Sequence, residues 1–381
     1  MTLKGVDFAG KRVFVTGHTG FKGSWLAIWL NRLGAEVTGY ATPPPTSPSN
    51  FEVSQVRELL ATHHEADIRD GARLSQAIGA ANPEVIFHLA AQPLVRDSYR
   101  CPRETFEVNV IGVASVLDAV RDRGKPCVVI VVTSDKCYEN FEHVWGYRET
   151  DPVGGHDPYS ASKGAAELVV SSYRRSFFPP QGVAQHGVKV ASVRAGNVIG
   201  GGDWASDRLV PDIVRALSSG LPVPLRNPDS VRPWQHVLDP LAGYLLLASR
   251  LLASEDTSLF GGWNFGPLPG EDAPVSHLAQ HLIDAWGEGS WNDVRRGGEP
   301  HEAHTLRLSI EKAIGQLGWC PRWGLPEAVL RTARWYARYT RTQTNMLPAC
   351  IEDIEHYERS SDQFKTPTAD QHKAAIGSVT P

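Results

Sequence analysis

The run VFVTGHTGFKG, residues 13–23, decides how the first half of the chain is built. Its opening residues extend a short apolar and β-branched strand, Arg12–Thr16. Gly17, Gly20 and Gly23 follow at intervals of three, and the apolar residues of Ser24–Leu33 then recur with helical spacing. A glycine-rich turn joining a strand to a helix meets the needs of a dinucleotide. One glycine makes the tight turn, one lets the backbone approach the pyrophosphate, and one allows close packing, while the helix N-terminus faces the phosphates.

Working outward, buried strands are expected at Glu36–Tyr40, Val85–Leu89, Cys127–Thr133 and Val188–Arg194, with helices at Arg103–Asp122 and Tyr159–Phe177. TPPPTSPSN (42–50) can only be a loop. Strands alternating with helices predict an α/β fold: a Rossmann-like, doubly wound parallel sheet whose ligands bind at the C-terminal ends of the strands. After residue 200 the rhythm loosens into Gly- and Pro-rich stretches. The expected division is a dinucleotide-binding domain over 1–200 and a smaller α/β substrate lobe over 201–350, with segments interleaved with the first domain. Residues 360–381 read as a polar tail.

Composition narrows the function. A chain of 381 residues with net charge −4 offers no basic field for nucleic acid or an anionic membrane. No apolar run reaches the length of a membrane span, and the N-terminus lacks a signal peptide's apolar region. Five cysteines without a CxxC pair predict reduced thiols in a cytoplasmic enzyme. HEAH (301–304) imitates a metal motif, but its histidines are three apart with no further ligand nearby, so no metal is expected.

Two further stretches carry chemistry. In VVTSDKC (131–137) a strand delivers Ser134, Asp135 and Lys136 to its C-terminal end. In DPYSASKGAAE (157–167) Tyr159 and Lys163 are four apart and share one helix face, with Pro158 at the helix start. A phenol ionises near pH 10, and a neighbouring ammonium is expected to lower that value. One usual feature is missing: Tyr40–Thr42 holds no acid for the ribose hydroxyls, and no arginine for a ribose phosphate. Asp67, in HHEADIRD, is placed to meet the adenine; the competing reading is a turn carboxylate.

Together, GxxGxxG, HLAAQ (88–92), Asn109 in TFEVNVIG and YxxxK resemble the extended short-chain dehydrogenase/reductase family. Within it the chain is similar to the nucleotide-sugar 4,6-dehydratases, collinear from about Arg12 to Leu330. Asp135 directly after Ser134 is the dehydratase pattern. Relatives acting on dTDP-glucose follow the aspartate with glutamate, whereas Lys136 here matches the branch acting on CDP-glucose.

The resemblance implies NAD as cofactor, CDP-glucose as substrate and a homodimer formed through the helices at Arg103–Asp122 and Tyr159–Phe177. It implies cofactor contacts from Gly17, Thr19, Gly20, Phe21, Lys22 and Gly23 in the loop, and from Asp67 and Ile68. Leu89, Ala90, Ala91, Asn109, Tyr159 and Lys163 complete that set. Ser134 and Tyr159 would hold the sugar's 4-hydroxyl, with Asp135 as acid and Lys136 acting at carbon 5 as base or as counter-charge. Gln92 would face the sugar. Asn197, Arg208, Leu209 and Arg232 would hold the nucleotide diphosphate, a ligand suited to arginine forks. Trp204 and Trp234 read as core residues. A 4-epimerase would use Ser134, Tyr159 and Lys163 but not Asp135. A dehydratase for another nucleotide and a catalytically silent regulator of the same fold remain alternatives.

Overall fold

The computed structural model describes residue 3, residues 5–295 and residues 305–360, so the HEAH quartet and residues 361–381 lie outside the described residues. Seven strands form one sheet: β1 (Arg12–Thr16), β2 (Glu36–Ala41), β3 (Thr62–Glu65), β4 (Val85–His88), β5 (Cys127–Val132), β6 (Val188–Ala195) and β7 (Gly261–Phe265). Their order is β7-β6-β5-β4-β1-β2-β3, and every pairing is parallel. The sequence order reverses between β1 and β4, where Thr16 aligns with Tyr40 on one side and His88 on the other. A ligand crevice opens at such a reversal. The glycine loop after β1, HLAAQ at the end of β4 and the Ser134 turn after β5 therefore line one edge of the sheet.

The sheet is covered on both faces. All six residues of β5, CVVIVV, are buried, and each valine or isoleucine so placed contributes about 1.5–3 kcal/mol over an exposed position. Helix α1 (Phe21–Arg32) buries Trp25 and Trp29 completely, and the Trp25 indole donates to Gly201 O at 2.9 Å. On the other face lie α2 (Gly71–Ala81), α3 (Gly112–Arg123) and α4 (Pro158–Ser176). Helix α4 starts where the sequence places its signals: Asp157 accepts from Ser160 N at 3.0 Å, and Pro158 occupies the first turn, where its missing N–H has no cost. Such a cap is worth about 1 kcal/mol.

Two elements differ from expectation. The helix read as continuous over Arg103–Asp122 is divided into Pro102–Phe106, a π-turn at Glu107–Ile111, and α3. Asn109 sits in that π-turn, a wide turn frequent at functional sites. The seventh strand, β7, comes from the half of the chain read as a separate lobe. Its five residues, GGWNF, are too short and glycine-rich to announce a strand, and pairing with β6 decides their conformation.

Candidate active site

The glycine loop separates two kinds of requirement. Gly17 has φ +73°, and a Cβ there would lie 2.7 Å from Ala90 N; a Cβ on Gly23 would lie 2.2 Å from Gly17 O. Packing within the chain demands both glycines. Gly20 is different: φ is −77°, and an added Cβ would meet only Gly17 O, at 3.4 Å. Nothing in the protein itself forbids a side chain there, but a pyrophosphate lying on the loop would. Gly20 is also the N-cap of α1, without a side-chain cap and with no acid in the first turn, so the helix end is open to an anion. The loop fits a dinucleotide such as NAD.

Around the loop, Thr16 Oγ1 accepts from Leu89 N and Ala90 N, both at 3.1 Å, which draws HLAAQ against β1. Ala91 is half-buried beside it. Thr19 Oγ1 donates to Thr42 O at 3.0 Å, closing the region where the ribose acid is missing. Phe21 is half-buried, its ring facing Gly200. Ile68 packs on Gly112 of α3. Asp67 is gripped by Arg69, at 3.0 Å from its Nε to each carboxylate oxygen, and this contact holds the carboxylate below its ordinary range.

At the end of β5, Ser134 caps the turn Asp135–Cys137 and its hydroxyl donates to Asp135 Oδ1 at 2.8 Å. Asp135 is buried. Burial raises its carboxyl above the usual range against the opposing pull of Lys136, Ser134 and Arg232. A carboxyl so shifted suits proton donation. Lys136 is half-buried at the turn's outer side. Tyr159 is also buried, and burial pushes its phenol up to about 12, although the Ser134 hydrogen bond and Arg208 pull it down. Lys163 is brought down to about 8, first by burial.

This corrects the expectation that Lys163 depresses the phenol. Its Nζ lies 6.0 Å from the Tyr159 ring centroid and turns to Val132 O at 3.5 Å. Desolvation is the largest influence on the phenol, and the cation that opposes it is Arg208.

Several expected residues gather here. Lys22 is brought down to about 7 by desolvation, then by Arg208 and Lys163, with Asp135 acting in the opposite sense. Arg208 pairs with Asp203 at 3.0 Å immediately before Leu209, and buried Arg232 lies within electrostatic reach of Asp135. Asn197 adjoins Gly196, whose added Cβ would come 3.3 Å from Asp135 Oδ2. Asn109 supports the crevice from behind: it accepts from Gln92 N at 2.8 Å and donates to Ser162 Oγ at 2.8 Å.

Gln92, expected to face the sugar, has its amide engaged within the chain. Its amide closes its own loop, bonding Leu94 N, Leu94 O and Thr105 Oγ1. Trp204 stacks edge-on with Trp335 and Tyr336, and buried Trp234 donates to Ala273 O, in keeping with core roles. Among the described residues no cluster could hold a metal ion.

Sequence reasoning passed over one group entirely. Glu167, buried in α4, accepts from Thr133 at 2.5 Å, from Ser192 at 2.7 Å and from Arg194 at 2.9 and 2.8 Å. The available signal was its spacing, four residues beyond Lys163.

The model described as the NAD dependent epimerase/dehydratase family matches residues 13–258. The chain is 51% identical over 348 residues to the CDP-glucose 4,6-dehydratase of Salmonella typhimurium, spanning 91% of this chain and 96% of that protein. Two solved structures share the fold at 25% identity and a TM-score of 0.70. The dTDP-glucose 4,6-dehydratase of Streptomyces venezuelae, with NAD bound, covers 88% of this chain and 99% of its own. The UDP-glucose 4-epimerase of Thermotoga maritima, with UDP-glucose, covers 86% and 99%. A glycine loop shaped for a dinucleotide, a Ser–Asp turn facing a Tyr–Lys helix and these likenesses agree: the chain belongs to the NAD dependent epimerase/dehydratase family.

Proposed function

We propose that this chain is an NAD-dependent hydro-lyase that converts CDP-glucose to CDP-4-dehydro-6-deoxyglucose and water, a step toward deoxysugars. The observation that carries this reading is Asp135, a buried carboxyl that burial raises above its usual range, bonded to Ser134 beside Tyr159. An epimerase has no use for such an acid; an elimination does. The glycine loop and Lys163 would hold NAD, which would supply the acceptance of hydride from carbon 4 and its return to carbon 6. Tyr159, hydrogen-bonded to Ser134, takes the 4-hydroxyl proton as a phenolate, a form that the positive charges of bound NAD and of Lys163 would favour over the neutral phenol of the free chain, and the ketone that forms acidifies carbon 5. Lys136 acts at carbon 5, as base or as counter-charge to the enolate. Asp135 gives its proton to the 6-hydroxyl, which leaves as water. Asn197, Arg208, Leu209 and Arg232 hold the nucleotide diphosphate. The division into a cofactor lobe over 1–200 and a substrate lobe over 201–350, with segments such as β7 interleaved into the first, is part of the same proposal.

The preference for cytosine is assigned to an open cavity of about 290 Å³ lined by Arg96, Tyr99, Arg100 and Asp207, next to Arg208 in the chain. Arg226 and Arg96 approach Asp207 through one oxygen, at 2.9 and 3.9 Å. The other oxygen is left to accept from the amino group that cytosine carries where uracil and thymine carry a carbonyl. Homodimer formation is assigned to the apolar face of the two helical segments, where Phe106, Ile111 and Leu168 are exposed at 39%, 56% and 61%. Five unpaired thiols support a cytoplasmic location, and no helix among the described residues is long and apolar enough to cross a membrane.

Incubation with NAD and CDP-, UDP-, dTDP- or GDP-glucose, followed by mass spectrometry, tests the reading. Loss of one water from CDP-glucose, with the preference relaxed in Asp207→Asn, is the expected result. Water loss confined to another nucleotide overturns the base assignment, and a 4-epimer without mass change overturns the reaction.

A further inference from the structure

We infer that Glu167 is a positioning residue, a single buried carboxylate that ties both ends of the catalytic turn to the catalytic helix. Tyr159, Lys163 and Glu167 recur at intervals of four, so α4 presents all three on one face. One Glu167 oxygen takes the hydroxyl of Thr133, the residue immediately before Ser134. Both oxygens take the Arg194 guanidinium in a fork. Arg194 in turn donates to the hydroxyl of Tyr138, two residues after Lys136, and lies over that ring at 4.9 Å. The Tyr138 hydroxyl passes the bond on to Asn264 Oδ1 in β7 at 2.8 Å. Asn264 Nδ2 ends the chain on Tyr147 O and Ser309 O, at 2.8 and 3.1 Å. Residues 134–136 are thus bracketed, Thr133 on one side and Tyr138 on the other, and both brackets lead to Glu167.

The arrangement has a chemical reason. Tyr159 and Lys163, which serve the oxidation of carbon 4, stand on α4, while Ser134, their partner in that step, and the groups that expel water stand on the turn after β5. Both must address one hexose, and reacting groups must be held to within about 0.5 Å. A displacement of about 1 Å costs roughly 100-fold in rate. A buried ion pair is weak evidence of stability, because desolvation offsets much of its attraction, but its fixed geometry suits register between two elements.

The inference rests on the dehydratase reading for its kinetic test and stands apart from it for its structural one. Glu167→Gln leaves Arg194 buried without its counter-charge and risks misfolding, so the variants are Tyr138→Phe and Thr133→Val. The control is Tyr357→Phe, which deletes an equally buried hydroxyl, bonded to Asp239 at 2.7 Å, far along the chain. Rapid-quench mass spectrometry follows two events, appearance of the 4-keto hexose and loss of water. Tyr138→Phe is expected to slow water loss by about 10- to 100-fold. It should leave ketone formation and the KM for the nucleotide sugar within about twofold, a span too small to reflect such a displacement. Thr133→Val is expected to slow ketone formation instead, and Tyr357→Phe neither. Backbone hydrogen exchange of the free chain is the second readout: residues 135–138 exchange faster in Tyr138→Phe and not in the control. Equal slowing of both events in the two clamp variants, or unchanged exchange at 135–138, overturns the clamp. Absence of dehydration by the wild-type chain overturns the proposed reaction instead, and exchange still decides the clamp.

Discussion

Replacing Gly20 with alanine separates cofactor binding from folding within one loop. At φ −77° and ψ 168° the backbone of Gly20 is extended and open to any residue. The new methyl would touch only Gly17 O at 3.4 Å. Folding therefore loses nothing large, and restricting the unfolded chain returns about 0.4–1 kcal/mol. The same change at Gly17 forces a left-handed backbone, at about 1–2 kcal/mol, and a Cβ 2.7 Å from Ala90 N. Binding responds in the opposite order. The methyl stands where the backbone must approach the pyrophosphate, and losing one charge-assisted N–H contact costs about 1.5–3 kcal/mol, roughly 10- to 100-fold in Kd. Calorimetric titration of NAD into the purified chain, paired with denaturant unfolding, measures both quantities. Gly79→Ala is the control: Gly79 is exposed in α2 with nothing within 4 Å of its added Cβ, so it should gain stability without changing Kd. Wild-type affinity in Gly20→Ala would falsify the assignment of this loop to the pyrophosphate. A stability loss above about 1 kcal/mol, against the gain expected at a compatible site, would show that Gly20 serves packing like its neighbours.

Asp135→Asn removes the transferable proton while keeping the shape, so ketone formation should persist and water loss should fall by about 100- to 10,000-fold, the span expected for a general acid; equal loss of both steps would return Asp135 to a turn role. Stability against pH follows first from five buried groups. His18, His88 and His236 are lowered to about 3 by burial, so the stability that they contribute is full above pH 6.5 and is lost as pH falls toward 3. Asp239 and Asp353 are raised to about 7 and act in the opposite sense, adding stability as pH falls from 7 toward 4. His63, His64 and His356 are lowered as well, first by burial, while Asp135 is raised, so the lowered histidines outnumber the raised carboxyls and stability should decline as pH falls from about 6.5 toward 4; a flat or rising denaturation midpoint on acidification contradicts this. Ile111→Glu combined with Leu168→Glu should convert the sedimenting species to a monomer with its fold intact, and an unchanged mass would move the interface elsewhere.

Five of the seven strands were legible because each of them carries its own signal. Arg12–Thr16, Glu36–Ala41 and Cys127–Val132 are β-branched runs closed by glycine or polar residues, and the expected boundaries differ from the observed ones by a residue at most. β7 was hidden because GGWNF is a strand by partnership with β6, which no local pattern records. In the site, Ser134, Asp135, Tyr159 and Lys163 announced themselves by order and spacing. The bonds of the Gln92 amide to Leu94 were not legible, because a loop amide satisfies its nearest backbone without a sequence signal. The pKa of Tyr159 was misjudged because burial depth is a property of the packed chain, and YxxxK records neither it nor the approach of Arg208. Glu167 passed as one more helix carboxylate, since its partners Thr133, Ser192 and Arg194 arrive from other strands.

The central claim is an elimination carried by a hydride that never leaves the active site. CDP-glucose bearing deuterium at carbon 4, incubated with the NAD-loaded chain, tests it most directly. The account predicts a dehydrated product carrying that deuterium at carbon 6, on the methyl group. Deuterium retained at carbon 4 of a 4-epimer, or lost to solvent, would contradict it.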